Sequence, residues 1–400
     1  MIDIMRLIYG YINEYMIKYI HYIILFLFVL ILLIRLYIKI KYKFWTIQPV
    51  FHYYNLVYWL KPIGLIDGRL PPINKYCNFV NVKTTTFGER DKMEIKEFNE
   101  FIQTYYYRSQ HVNYIPSEES FTCHLDANNH PSFISSYYSY EFTGKKLIGL
   151  ITSRHLNLTI NDLKINVYYV DNLCVHISFR NKQIAPQIIQ SHLFYQRHKN
   201  KNVLINLFKR EGKLTGIVPI TAYNTHQFYI EDIKKLYLND TSIKFLKITP
   251  QNINLFTELL LDVRDRFTFV AIPDLTNIIN IIKNGVYKIY GLLQNNRLIS
   301  CYFFRDSQVI YNGDKAIECF LSIGECNENI FMIGFILSIN QFYKNKQVKR
   351  ITIENISDNH IIINYISKIP LRLNTVNPTA YFLYNYAMRP IPSKNVFILN

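Results

Sequence analysis

One apolar run near the amino terminus constrains this chain more than any other feature. Residues 19–34 read YIHYIILFLFVLILLI and contain no Asp, Glu, Lys or Arg. With Tyr15 to Ile17 before it and Leu36 to Ile38 after it, the stretch reaches about twenty residues, enough for a helix to span a bilayer. Thirteen of the central residues are Ile, Leu, Phe or Val. At about −0.3 to −0.6 kcal/mol each, they favour the membrane by about 4–8 kcal/mol, and Arg35 can snorkel at the edge. A buried core helix is the competing reading, but the run is apolar on every face and lies at the terminus. A cleaved signal peptide would have a shorter apolar core followed by a small-residue cleavage site. The expectation is therefore a single-pass membrane anchor within residues 1–42. Arg35, Lys39, Lys41 and Lys43 follow the run, whereas Arg6 and Lys18 before it are offset by Asp3 and Glu14. The positive-inside rule then places the rest of the chain on the cytosolic side.

Of the 400 residues in the whole chain, 50% are hydrophobic and 18% charged, which excludes a disordered tail or a coiled coil. The net charge of +16 suits an anionic membrane surface or a phosphorylated ligand. Its Lys and Arg are scattered and form no nucleic-acid module, so no nucleic-acid partner is expected. Cys77, Cys123, Cys174, Cys301, Cys319 and Cys326 form no CxxC pair and no His/Cys cluster. A metal site is not expected, and a reducing compartment is the simpler reading.

After the anchor, a Pro- and Gly-punctuated segment to about residue 80 reads as an extended arm. Residues 91–107 read as an amphipathic helix, with Asp91 as cap and Glu94 three residues on. Two strands follow around Gly144-Lys145-Lys146, then a strand over 163–176 and a helix from Pro186 to about His198. The second half keeps this order: a helix over 250–266, a hairpin turning at Asn295-Asn296, a strand over 316–323 and a helix over 329–343. Helix, hairpin, strand and helix occurring twice predict two related α+β lobes.

Residues 167–198 carry the chemistry. An apolar strand enters a polar, basic loop, and Pro186 is expected to open the next helix, as Pro often does at a first helical position. Backbone N–H groups at such a helix start attract an anion, and Arg180 and Lys182 add charge. A phosphate or diphosphate fits this pattern, although no Gly-rich cradle is present.

Here the sequence resembles a known family. Asn172-Leu173-Cys174-Val175-His176, followed by Arg180-Asn181-Lys182-Gln183-Ile184-Ala185-Pro186, is similar to the signature of the eukaryotic protein N-myristoyltransferases, Asn-Phe-Leu-Cys-Val-His and then a basic run closing in Ala-Pro. Phe44-Trp45-Thr46-Ile47-Gln48-Pro49-Val50 is similar to the family's Phe-Trp-Asp-Thr-Gln-Pro-Val. Tyr381-Phe382-Leu383-Tyr384-Asn385-Tyr386 is similar to its Tyr-Tyr-Leu-Tyr-Asn-Trp. The matches run in family order from Phe44 to Asn400.

The resemblance implies an α+β fold of two tandem acetyltransferase-like (GNAT-type) lobes forming one saddle-shaped catalytic domain behind the transmembrane helix. It implies an acyl-CoA lobe over residues 43–240 and a peptide lobe over 241–400. No permanent cofactor is implied; myristoyl-CoA or a similar acyl-CoA is the co-substrate, and the N-terminal glycine amine of a protein attacks it directly. The amides of Asn172 and Leu173 would form an oxyanion hole. Asn400 would offer its α-carboxylate as general base, although such a group has a pKa of about 3.3–3.7 and needs desolvation to serve. Lys43, Phe44, Trp45, Cys174, Val175, Arg180, Asn181, Lys182, Gln183, Ile184 and Ala185 match coenzyme-side positions. Asp171, Arg210, Gly212, Asn377 and Tyr384 match the peptide side, and a monomer is expected.

Departures concentrate on the peptide side. The family's Tyr-Thr-Ala-Gly is Lys209-Arg210-Glu211-Gly212, its Gly-Asp-Gly is Thr375-Val376-Asn377, and its acidic run is Tyr107-Arg108-Ser109-Gln110. An alternative is thus a non-catalytic relative that binds acyl-CoA or acylated peptide at a membrane. A third idea is a Cys174 acyl-enzyme with His176, two residues on along the strand and facing the same side.

Overall fold

The computed structural model describes residues 2–107, 112–141, 144–212, 216–233, 242–343 and 348–400, with side chains from Tyr15 onward. The basic replacement of the acidic run at residues 108–110 lies outside the described residues, as do residues 142 and 143 at the first hairpin tip.

The apolar run lies in one 40-residue helix, Ile2–Lys41. Its stretch Tyr15–Lys41 is long and apolar enough to cross a membrane. Tyr15 to Tyr37 is exposed almost throughout, so this is not a core helix. Among its described side chains, those near its end meet the rest of the chain: Ile38 is buried, and a Cβ on Gly216 would stand 3.0 Å from its side chain.

The arm beyond it is less extended than expected. It contains a short turn of helix at Trp45–Ile47 and a five-residue helix, Leu56–Leu60. Helix Lys92–Tyr105 forms as its pattern predicts, with the Asp91 carboxylate accepting the Glu94 N–H at 2.8 Å. It buries Ile95, Phe98, Phe101 and Ile102 against Leu150 and Cys174.

The doubled order holds in space. Strands Gly144–Ile160 and Leu163–Val175 pair antiparallel, helix Ile184–Lys199 crosses over, and strand Ile205–Glu211 returns parallel to Leu163–Val175. Strands Arg297–Tyr311 and Asp314–Gly324, helix Glu328–Tyr343 and strand Val348–Glu354 repeat this arrangement. Asn295 and Asn296, at φ of 51° and 61°, make the two-residue turn into the second unit, a left-handed conformation that Asn tolerates. Each half lends a strand to the other. Thr221–Tyr229 pairs with Val348–Glu354, Thr375–Tyr384 pairs with Ile205–Glu211, and the two lent strands pair with each other. One continuous ladder therefore joins both halves.

Parallel pairing stops early in the first unit. Val167–Val170 face Ile205–Phe208, and beyond them Asp171 to Val175 have no strand partner on that side among the described residues. A wedge opens there. The helix that follows sits directly on the sheet because Gly149 has no side chain; a Cβ would lie 2.3 Å from Ile188 Cδ1.

Two local expectations are corrected. Helix Ile184–Lys199 begins two residues before Pro186, because Gln183 adopts φ 61°, ψ 19° and turns the chain into the helix. Pro186 still costs no bond, since amides of the first turn have no intrahelical partner. The helix expected over 250–266 is regular only at Ile253–Val263, with tight turns at Pro250–Asn252 and Arg264–Arg266.

Candidate functional site

The wedge is lined by a β-bulge. Leu150 pairs with Cys174 and Thr152 with Asp171, so Asn172 and Leu173 together oppose Ile151. Asn172 has φ 55°, the left-handed region, which turns its backbone out of the ladder. The Asn172 Nδ2 donates to Thr152 Oγ1 at 2.9 Å and secures the bulge. The Asn172 amide itself donates to Asp171 Oδ1 at 2.8 Å. One of the two expected oxyanion donors is thus engaged by a carboxylate.

Under the bulge lies a cavity of about 230 Å³. Asp171, Asn172 and Leu173 form one wall, and Trp45, Leu193, Phe208, Lys209, Arg210 and Tyr384 contribute to the others. The arm reaches this cavity through aromatic packing. Trp45 stacks on Phe208 with ring centres 5.7 Å apart, and Phe44, buried, meets Trp45 edge-on at 5.0 Å. The Tyr384 hydroxyl donates to Gln48 Oε1 at 2.8 Å, joining the arm to the carboxyl-terminal motif. His192 also faces the cavity; burial pushes its pKa down to about 3, so it is a neutral link between the Ser135 and Ser153 hydroxyls, each 2.8 Å away.

The loop after the bulge is held by its own arginine. Arg180 Nε donates to Val175 O at 3.2 Å and Nη2 to Tyr105 O at 2.6 Å. Lys182 rests over the Phe179 ring. Asn181 and Gln183 take φ of 63° and 61°, and Gln183 caps the helix without a side-chain hydrogen bond. The first-turn amides of Ile184 and Ala185 are the kind of donor that favours an anion.

On the opposite side of Asp171 lies a buried charged network that the sequence reading missed. Arg154 Nη1 stands 3.9 Å from Asp171 Oδ2, and Nη2 donates to the side-chain oxygen of Asn400. Asn400 is buried, and its main-chain oxygen accepts Arg305 Nη1 at 2.6 Å. Arg305 pairs with Glu318 at 2.7 Å, its direct cross-strand partner. Lys209 Nζ reaches Glu354 at 3.0 Å, and Tyr223 donates to the same carboxylate. Burial, with Glu318 close by, raises the Glu354 pKa to about 7 despite Lys209. Burial also opposes ionisation of Glu318, yet Arg305 and Lys209 hold it down to about 2. Burial works against the Lys209 charge too, but Glu354 and Glu211 more than offset it and raise its pKa. The signal available in sequence was a charge within or next to the apolar part of a strand: Lys209 in INLFKRE, Glu318 in AIECFLSI, Glu354 in RITIE.

Not every expected residue joins the cavity. Lys43 is exposed beside it, in the turn where its carbonyl accepts Thr46 Oγ1. Gly212, at φ 80°, donates its amide to Pro378 O at 2.8 Å, and Asn377 is exposed opposite Thr225. Both stand outside the cavity walls, on the neighbouring strand ends. Val175 is the last residue of its strand, opposite Gly149, and does not line the cavity. Cys174 turns into the apolar cluster with Phe98 and Leu150, where burial pushes its thiol pKa up to about 12. His176 Nδ1 instead accepts the Ser178 amide, so a Cys174 thiolate has no base in place.

Comparison with known proteins places this geometry. The fold is that of the N-myristoyltransferases. Three structures of the Saccharomyces cerevisiae enzyme match it: two with bound myristoyl-CoA, both at TM-score 0.69, and one with myristoyl-CoA and inhibitors at 0.66. The alignments cover 90%, 90% and 88% of this chain and 94%, 99% and 91% of the yeast chains, at 14%, 13% and 14% identity. Residues 78–218 match the family model "Myristoyl-CoA:protein N-myristoyltransferase, N-terminal domain". That segment is thus similar to the family's N-terminal domain, and the fold of the chain as a whole is similar to that of the yeast enzyme. No curated protein sequence matches it significantly.

Proposed function

We propose that this protein is a membrane-tethered acyltransferase. It takes a myristoyl or similar long-chain acyl group from acyl-CoA and passes it to the N-terminal glycine amine of a cytosolic protein. The observation that carries this reading is the bulge at Asn172 and Leu173, open over an aromatic-walled cavity and eleven residues before a helix start suited to phosphate. Residues 1–42 serve as anchor, 43–240 as the acyl-CoA lobe and 241–400 as the peptide lobe.

The coenzyme diphosphate binds at Asn181, Lys182, Gln183, Ile184 and Ala185, with Arg180 bracing the loop and Lys43, Phe44 and Trp45 closing over the acyl-CoA. The thioester oxygen displaces the Asp171 carboxylate from the Asn172 amide and takes the Leu173 amide as its second donor. The freed Asp171 then meets the acceptor's ammonium, beside Arg210 and Tyr384. That ammonium gives one proton to the Asn400 α-carboxylate. The amine nitrogen bonds to the thioester carbon, and negative charge gathers on the oxygen. The C–S bond breaks, and the sulfur leaves with the second nitrogen proton as free CoA thiol. Arg305 holds the main-chain oxygen of Asn400 in place, and Arg154 holds its side chain, so that the carboxylate can take that first proton before the N–C bond forms.

The test uses the full chain in lipid vesicles with an alkyne-tagged myristoyl-CoA and N-terminal glycine peptides. The expected product is an amide at the peptide terminus that resists hydroxylamine. Saturable acyl-CoA binding with no transfer to any peptide would establish the non-catalytic relative instead.

A further inference from the structure

The five-residue helix Leu56–Leu60 has apolar residues on both faces. Tyr58 and Trp59 pack inward on Phe51, with ring centres 5.6 and 5.0 Å apart. Leu56, Val57 and Leu60 point outward; Val57 is 68% exposed and Leu60 80%, and Ile63 extends the patch. A single exposed leucine needs no explanation, but a contiguous group on one short helix does.

Its position relative to the long apolar helix is fixed. The Arg35 guanidinium sits 5.7 Å from the Tyr54 ring centre, two residues before Leu56. The next residue back, Tyr53, bonds through its amide to Gly216 O, and Gly216 holds Ile38. Residues 53–56 therefore lie level with the last turn of the apolar run, a span of about 6 Å from residue 34 to 38 at 1.5 Å per residue. Cations stand beside the patch. Arg389 donates to the carbonyls of Trp59 and Leu60 at 3.0 and 2.7 Å, which pins a guanidinium beside the most exposed leucine. Lys61 follows directly, and Lys39, Lys41 and Lys43 lie on the anchor side.

We propose that Leu56, Val57 and Leu60 insert into the headgroup region of an anionic bilayer, as a second membrane contact that orients the domain on the surface. This rests on reading the apolar helix as a membrane span. Apolar side chains beside cations match the depth profile of a membrane interface: acyl carbon at the level of the leucines, phosphate at the level of the cations. Continuity with the span supplies the bilayer at that height. Trp45, on the cavity wall, follows the same helix end by four residues, so this contact holds that side of the domain near the lipid surface.

The experiment places p-benzoylphenylalanine at Val57 or Leu60 in the full chain, reconstituted in vesicles of phosphatidylcholine with phosphatidylserine. Leu261, 67% exposed on helix Ile253–Val263, carries the same probe as control. All three side chains are exposed, so the probe leaves the core intact. After irradiation, mass spectrometry is expected to find phospholipid adducts at residues 57 and 60, at least tenfold above residue 261, on the logic that only the interface meets lipid. Lys61→Glu lowers that yield several-fold in anionic vesicles and leaves it unchanged in neutral ones. Carbonate extraction is run in parallel. A carbonate-resistant chain with no excess of adduct at 57 and 60 overturns this proposal alone. A carbonate-extractable chain overturns the membrane span, and the surface contact with it.

Discussion

Asn172 does two things that few residues combine: it holds φ at 55° and ties its side chain to Thr152. A β-branched residue pays heavily in that conformation, whereas Gly enters it freely. Asn172→Val is therefore expected to cost about 1–3 kcal/mol, and Asn172→Gly less than about 1 kcal/mol, read as shifts in thermal unfolding. Equal losses from both variants would show that the Thr152 bond, not the bulge, sets the stability here. Glu354 gives a pH-dependent prediction. Its folded pKa is raised from the ordinary 4.5 to about 7, so between those values the folded chain keeps a proton that the unfolded chain has released. That contribution is complete below pH 4.5 and disappears as pH rises through 7. Glu318, held down to about 2, acts in the opposite direction and only below pH 4.5. Unfolding temperatures measured from pH 4.5 to 8 are expected to lose this downward component in Glu354→Gln, whatever the variant's absolute stability. An unchanged slope would remove Glu354 as its source.

At the scale of elements, the helix Ile184–Lys199 depends on one missing methyl group. Gly149→Ala puts a Cβ 2.3 Å from Ile188 Cδ1, and 3.4 Å from Tyr137 Cβ. Overpacking of this kind costs about 1–3 kcal/mol and lifts the helix start that the diphosphate is proposed to occupy. Adding Ile188→Val removes the clashing carbon and is expected to restore both stability and acyl-CoA affinity, compared by unfolding and calorimetry. What was legible in the sequence follows the same line. Caps, turns and amphipathic faces are local, so Asp91, the Asn295-Asn296 turn and the repeated order could be read directly. The exchange of Thr221–Tyr229 and Thr375–Tyr384 between halves was not legible, because pairing across more than a hundred residues leaves no local mark. The motif residues Trp45, Asp171, Asn172, Leu173, Arg210 and Tyr384 do meet at one cavity. Gly212 and Asn377 do not: Gly212 follows the last residue of its strand, and Asn377 lies near the start of another, paired opposite Thr225. The start of the helix after Gln183 was misplaced because Pro186 signals a first turn without fixing which residue of that turn it occupies.

For the molecule as a whole, the two halves meet where the last residue is buried. Arg154 comes from the first unit and Arg305 from the second, and both converge on Asn400. The strand Val396–Ile398 just before it lies parallel to Phe269–Ile272, which in turn pairs with Gly144–Ile160. This ladder delivers Asn400 to within one arginine of Asp171 and the bulge. Residues appended to the buried Asn400 have to find room there, and they convert the carboxylate that accepts Arg305 into a neutral peptide carbonyl. Arg305 loses one of its anionic partners and the added residues have to enter a buried site, so the extended end is expected to leave its seat. The bulge, the cavity and the helix start stand on other elements and keep their form. A chain carrying a short extension is therefore expected to retain acyl-CoA affinity within about twofold while losing transfer by at least about a hundredfold, the scale of a lost general base. Calorimetry and the peptide assay read the two quantities separately. Transfer at the original rate would detach Asn400 from the chemistry and leave Glu354, reached through Lys209 on the cavity wall, as the carboxylate to examine next.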